Sequence, residues 1–277
     1  MRVKMHKQKM NKLLYTLFIL GILTSCGNSY SVQGSSNVST LDGRMLYLKV
    51  LKDNELKNVD SCEVVHGKFQ FGGNIDSTKM ATIFMDDESI MPIVLENGEI
   101  VIKLDNTQQS VSGTPLNDKL FEFIDKYNQL QNMVNELGHK QSQAIMDGED
   151  EQVTNARLTQ EANIIAMRED SLVTNFITDN FDNVLGPGVF MMVTAGYRYP
   201  ELTPWIKDIM SKATNYFKND PYVKDYYQKA QENQAIMNGM ATPEVAPTQP
   251  APATTVPSVS LPVDSTLNAA PLTKSPK

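Results

Sequence analysis

A chain of 277 residues with 41% hydrophobic and 21% charged residues is long enough for one or two packed cores and too apolar to be disordered throughout. Its formal net charge of −7 understates the acidity of most of the chain, because Arg2, Lys4, Lys7, Lys9 and Lys12 all precede Cys26 in a stretch without any acid. The acidic remainder has no basic cluster, which disfavours nucleic acid as a partner, and two cysteines, Cys26 and Cys62, exclude a disulfide framework, a CxxC redox pair and a four-ligand zinc site.

The basic segment up to Lys12 leads into the apolar run Leu13 to Leu23, LLYTLFILGIL, well short of the roughly 20 residues a membrane-spanning helix needs. Residues 1–25 therefore read as a signal peptide, with Met10 as an alternative start. Leu23, Thr24 and Ser25 directly before Cys26 resemble the lipobox of bacterial lipoproteins. That resemblance implies cleavage before Cys26, diacylation of its thiol and acylation of the new amino terminus, so that residues 26–29 form a lipidated anchor in the bilayer. The competing reading is an ordinary secretory signal with an incidental cysteine. No acidic stretch follows Cys26, unlike the surface-export signal of Bacteroidetes lipoproteins, and the expected location is the periplasmic leaflet of the outer membrane.

Residues 30–113 read as a β domain. Strands are expected at Ser29 to Gly34, Arg44 to Lys52, Asn58 to Val64, Lys68 to Phe71, Ala81 to Met85, Met91 to Glu96 and Glu99 to Leu104. The third and fourth are expected to form a hairpin about His66-Gly67, and the last two a hairpin about Asn97-Gly98. Alternation points Phe69 and Phe71 together into the core and sets Asp60, Cys62 and Val64 on one face.

The runs VDSCEVVHGKFQFGG, PIVLENGEIVIKL and VSGTPLNDKLFEFIDKY resemble the domain of unknown function 4369 found in Bacteroidetes lipoproteins, over roughly Tyr30 to Tyr127. In many relatives this domain precedes a thioredoxin-like domain that performs thiol-disulfide exchange. Here no CxxC exists, so the resemblance implies a fold and an address without that activity. Cys62 is expected to be a small core hydrophobe, the alternative being a redox thiol. His66 and His139 lack a neighbouring second ligand, and Asp86-Asp87-Glu88 lacks the alternation of a calcium loop, so no metal and no cofactor is expected.

Residues 114–240 read as helices. Thr114-Pro115 offers a capping oxygen and a proline at the first helical position. Leu116, Leu120, Phe123, Tyr127, Leu130, Val134 and Leu137 form a coiled-coil-like seam, and Leu158, Ala162, Ile165, Leu172 and Phe176 supply a partner across the polar break Asp147 to Asp150. A long antiparallel helical hairpin is expected, the alternative being that the seam docks a second chain near Ile145 and Met146. Asn183 to Gly188, with Leu185-Gly186-Pro187-Gly188, is expected to be a turn, followed by helices at Val189 to Ala195, Thr203 to Lys218 and Pro221 to Met237. Trp205, Tyr216, Phe217, Tyr222, Tyr226 and Tyr227 suit a helical core, or alternatively a glycan or peptide groove.

Residues 241–277 hold more than half of the prolines and few charges, so a disordered, extended tail is expected. Asp264-Ser265-Thr266, Asp170-Ser171-Leu172 and Asp76-Ser77-Thr78 resemble the O-glycosylation motif of exported Bacteroidetes proteins, making Ser265, Ser171 and Ser77 candidate modification sites. The expected fold class is α+β: an antiparallel β-sandwich-like domain, then a helical domain with a long hairpin, then the tail. No Ser-His-Asp set, paired-carboxylate signature or phosphate loop occurs, so the expected function is non-enzymatic binding or scaffolding in the cell envelope, toward an unidentified protein or glycan. The alternatives are an accessory to thiol-disulfide exchange and a carbohydrate-binding module.

Overall fold

The computed structural model of the chain describes residues 28–52, 55–105 and 108–240. The expected signal peptide, Leu23, Thr24, Ser25 and Cys26, the tail and Ser265 lie outside the described residues. Among the described residues eight strands come first: β1 (Ser29–Ser36), β2 (Met45–Lys52), β3 (Glu55–Glu63), β4 (Lys68–Asn74), β5 (Lys79–Met85), β6 (Glu88–Leu95), β7 (Gly98–Leu104) and β8 (Gln109–Ser112). They form two four-stranded sheets, ordered β4-β1-β7-β8 and β3-β2-β5-β6. Leu46, Leu48, Ile83, Met91 and Ile93 from one sheet meet Val32, Phe69, Phe71, Ile100 and Ile102 from the other, giving a sandwich core.

Both expected hairpins are corrected. β3 and β4 lie in different sheets, and His66-Gly67 closes only a Val65–Lys68 bridge before the strands part. The turn is tight, with His66 at φ 50° and Gly67 at φ 68°, but β3 pairs with β2 and β4 with β1. Likewise Asn97-Gly98 carries the chain from β6 in one sheet to β7 in the other. A short turn dictates reversal of the chain, whereas the partner of each strand is decided by which apolar face must be buried. The sandwich is also not wholly antiparallel, since β7 pairs with β1 in parallel and β8 in antiparallel sense.

Among the described residues six α-helices follow: α1 (Pro115–Met146), α2 (Glu151–Thr178), α3 (Leu185–Thr194), α4 (Pro204–Lys212), α5 (Asn215–Asn219) and α6 (Pro221–Met237). The pair α1 and α2 is the expected antiparallel hairpin. Phe123 and Phe176 lie 4.4 Å apart between ring centroids, and farther along Lys140 pairs with Glu161 at 2.7 Å. Asp150 starts α2 by accepting the Val153 N–H at 2.9 Å.

The expected turn at Leu185-Gly186-Pro187-Gly188 is instead the first turn of α3. Proline is acceptable there because the first N–H groups of a helix have no internal partner. The glycines permit close packing: a Cβ on Gly186 would sit 2.4 Å from the Asn180 carbonyl oxygen, and one on Gly188 2.7 Å from Met80 Cγ. The expected single helix Thr203 to Lys218 is two, because Ala213 is extended (ψ 143°) and Thr214 begins α5. Thr214 Oγ1 donates to Phe181 O at 3.0 Å, tying that break to the end of α2.

α3 and the start of α1 cover the outer face of the second sheet. This explains why β5 and β6 are buried almost continuously: Ala81, Ile83, Met91 and Ile93 face the sandwich core, while Phe84 and Val94 are buried on the other side. Sandwich and helices consequently share one apolar core.

Candidate functional site

The two central strands of the second sheet separate along their length. β2 and β5 pair from Leu46↔Met85 to Lys49↔Thr82 and no farther. Beyond that point Val50, Leu51 and Lys52 pair only with β3, and Lys79, Met80 and Ala81 only with β6. A β-bulge at Leu48/Lys49 bends β2 where the fork begins, and Met80 packs against Gly188 of α3 beside it.

A cleft of about 440 Å³ opens at the fork. Leu51, Met80, Val184, Pro187 and Met191 give it an apolar floor, and its rim carries Lys52, Asp76, Ser77, Lys79, Tyr216 and Asp220. Such a surface suits a ligand with an apolar body and polar groups at its edges.

The polar groups of the rim are mostly committed. Lys79 Nζ donates to Asp76 Oδ1 at 2.7 Å, which holds the Asp76 carboxyl below the usual carboxylate range. Asp220 Oδ1 accepts from the Tyr222 and Val223 N–H groups at 3.0 and 3.2 Å, starting α6, while burial pushes its pKa up. Thr194 Oγ1 donates to Phe190 O at 2.7 Å, so at the 3.1 Å contact the Tyr222 hydroxyl is the donor. Lys52 has no ion-pair partner among the described residues.

A second polar assembly joins the sandwich to α1. Glu96 Oε1 accepts from the N–H groups of Leu116 and Asn117 at 2.8 and 3.1 Å, so this carboxylate, rather than the expected Thr114 hydroxyl, caps the helix. Thr114 Oγ1 instead accepts from Asn117 Nδ2 at 2.8 Å. The Asn117 carboxamide also reaches Val94, with Oδ1 accepting from N at 2.8 Å and Nδ2 donating to O at 2.8 Å. Gly98 lies close against Thr114, and Gly113, at φ 105°, leaves no room for a Cβ beside the Glu99 carbonyl.

Leu-Glu-Asn-Gly and Gly-Thr-Pro-Leu-Asn, separate in sequence, thus meet in one joint. Residues 30–120 match the family described as Domain of unknown function (DUF4369). The chain carries a DUF4369 domain. No curated protein matches the chain. The DUF4369 match ends within α1, just beyond the joint, so it takes in the sandwich together with the contact that seats the first helix. Asp60 and Phe69, within the matched stretch, are structural as well. Asp60 Oδ2 accepts from Gly72 N at 3.0 Å, linking the edges of the two sheets, and Phe69 is buried.

The other residues singled out from sequence do not converge. Cys62 is half-buried against the core, and burial pushes its thiol pKa up. His66 is in its turn and His139 is exposed on α1, while Asp86 pairs with Arg44. Among the described residues no group of three or more His, Cys, Asp or Glu side chains is placed to hold a metal ion. Ser77 is exposed on the cleft rim. Ser171 is exposed on α2, with its Oγ donating to Met167 O at 2.8 Å.

The aromatic residues form a core around Phe190, which stacks on Trp205 at 6.1 Å and meets Phe217, Tyr222 and Tyr226 edge to face. The Trp205 indole N–H is spent on Thr174 Oγ1 at 2.8 Å, and burial pushes the Tyr226 phenol up to about 12. Only Tyr216 and Tyr222 of the expected aromatic set reach the cleft. Residues missed in the sequence, Lys52, Met80, Met191 and Asp220, come from four separated segments, and no local pattern announces their meeting.

Proposed function

We propose that this chain is a non-enzymatic lipoprotein of the cell envelope, anchored through acylated Cys26 in the periplasmic leaflet of the outer membrane, that binds a partner or ligand in the cleft between sandwich and helices. The observation that carries this reading is the open fork of β2 and β5 with its apolar floor and polar rim. The lipobox-like Leu23 to Cys26 supports the anchor, and β1 begins at Ser29, so the sandwich would stand directly on the bilayer surface. Among the described residues no helix is long and apolar enough to cross a membrane. The chain is read as a Bacteroidetes-type relative in which the DUF4369 domain serves a binding role.

A scaffolding reading is favoured by the tip of the helical hairpin, where Ile145, Met146 and Val153 are 70, 74 and 68% exposed. The thiol-exchange reading would need a reactive Cys62, and burial lowers its thiolate fraction. The glycan-binding reading would need a free Trp205 ring, and Phe190 takes one face of it while Thr174 holds its indole N–H. A photo-crosslinking residue at Ser77, compared in intact cells with one at exposed Lys119, tests the cleft. A discrete adduct with a separate envelope component is expected at Ser77 alone, and equal labelling at both positions would refute the cleft reading. Release of a Cys26→Ala form into the soluble periplasm is the expected outcome for the anchor, and its retention in the outer membrane would refute that part.

A further inference from the structure

The far end of the α1–α2 hairpin is closed on itself. Ala144, Thr154 and Leu158 are buried inside it, and the Gly148 and Glu149 N–H groups donate to the carbonyls of Ile145 and Ala144 at 3.3 and 3.0 Å. With that space filled and the turn fixed, Ile145, Met146 and Val153 are held outward. Apolar side chains grouped in this way mark a contact surface. Four acids, Asp147, Glu149, Asp150 and Glu151, adjoin them without a base between, which sets the tip against an anionic lipid surface. Glu149 is paired with Arg157 at 3.2 Å, whereas Asp147 and Glu151 have no ion-pair partner among the described residues.

The cleft at the β2–β5 fork is the complement of this tip. Its floor is apolar, and two of its residues, Met80 and Met191, have unbranched side chains that adapt to an incoming group. On the rim Lys79 neutralises Asp76, and Asp220 is held by two N–H groups of α6. That leaves Lys52 as an exposed cation without an ion-pair partner among the described residues. The tip and cleft of one chain cannot meet. Val184, Pro187 and Met191 of the cleft come just after α2, and the 28 residues of that helix place the tip about 40 Å from its other end.

Resting on the cleft reading above, we propose that the hairpin tip of a second copy of this chain occupies the cleft, with Ile145 and Met146 on the apolar floor and the acidic turn facing Lys52. The two surfaces that meet are different, so the contact is heterologous. Each copy offers a tip and a cleft, and copies join head to tail.

Photo-crosslinking of the full chain in intact cells tests this. With the crosslinking residue at Ser77, the adduct is expected to have the mass of two chains. Ile145→Asp together with Met146→Asp should reduce that adduct roughly tenfold. Met167→Asp, also at an exposed position on the hairpin, should leave it unchanged. The tip variant keeps its cleft, so co-expression of an epitope-tagged copy with an intact tip and no crosslinker should restore the adduct, now carrying the tag. A two-chain adduct that is indifferent to the tip substitutions, or that the tagged copy does not restore, overturns the proposal. An adduct with any other molecule also overturns it and leaves the cleft reading standing. Equal labelling at Ser77 and Lys119 overturns both.

Discussion

Asn117 treats Val94 as a neighbouring strand would: its carboxamide accepts the Val94 N–H and donates to the Val94 carbonyl, both at 2.8 Å. β6 is an edge strand of its sheet, and this side chain from α1 closes the edge at that position. Asn117 is fully buried, so neither backbone group has water as a substitute. Asn117→Leu is expected to destabilise the protein by about 2–4 kcal/mol, since it strands buried backbone groups and removes the Thr114 contact. Urea denaturation measures this, and a loss below about 0.5 kcal/mol would contradict the pairing.

The two glycines that open α3 are predicted to differ. A Cβ at Gly186 meets a backbone carbonyl at 2.4 Å, whereas one at Gly188 meets the flexible end of Met80. Gly186→Ala should therefore cost about 2–3 kcal/mol and Gly188→Ala less than about 1. Thermal or urea unfolding of both variants gives the ranking, and the reverse order would show that α3 does not lie against the end of α2 as described.

Asp220 makes stability depend on pH in a defined direction. Its folded-state pKa lies above the ordinary 3.8 because burial disfavours the charged form. Below 3.8 the group is protonated in folded and unfolded chains and carries no penalty. As pH rises through the folded value, the buried charge lowers stability. Asparagine accepts the same two N–H groups without that charge. Asp220→Asn should thus be at least as stable as the parent at pH 7, with its advantage disappearing in acid. Denaturation at pH 7 and pH 3 checks both arms.

Cys62 should behave as a packed thiol. Its half-buried position and raised pKa predict alkylation by iodoacetamide at neutral pH roughly tenfold slower than for an exposed free cysteine, rising to the ordinary rate in denaturant. Fast labelling of the folded protein would revive a redox role.

The strands were legible because their faces alternate, as Phe69 and Phe71 do, and the helical hairpin because its seam keeps a helical period. Assignment of strands to sheets was not. Asn97-Gly98 carries a strong hairpin signal, yet burial of β6 against both the core and α1 decides its neighbours. β8 escaped notice because Gln109-Ser110-Val111-Ser112 has one apolar residue. The cap on α1 was hidden for a similar reason, since Glu96 lies far back in the chain and only the fold brings it to Leu116. The cleft was least legible, being a gap between strands that continue in sequence without any local interruption.

The placement of β1 has a mechanical consequence. It pairs with β4 from Ser29 to Ser35 and with β7 from Tyr30 to Ser36, so both of its edges are bonded along almost its whole length. A pull on the chain at Ser29, directed along the strand, loads both ladders in shear, and the bonds must yield together instead of peeling one by one. The first element that a tether at the amino terminus would strain is the one fastened on both sides, and the sandwich should withstand tension from that end better than from its edge strands.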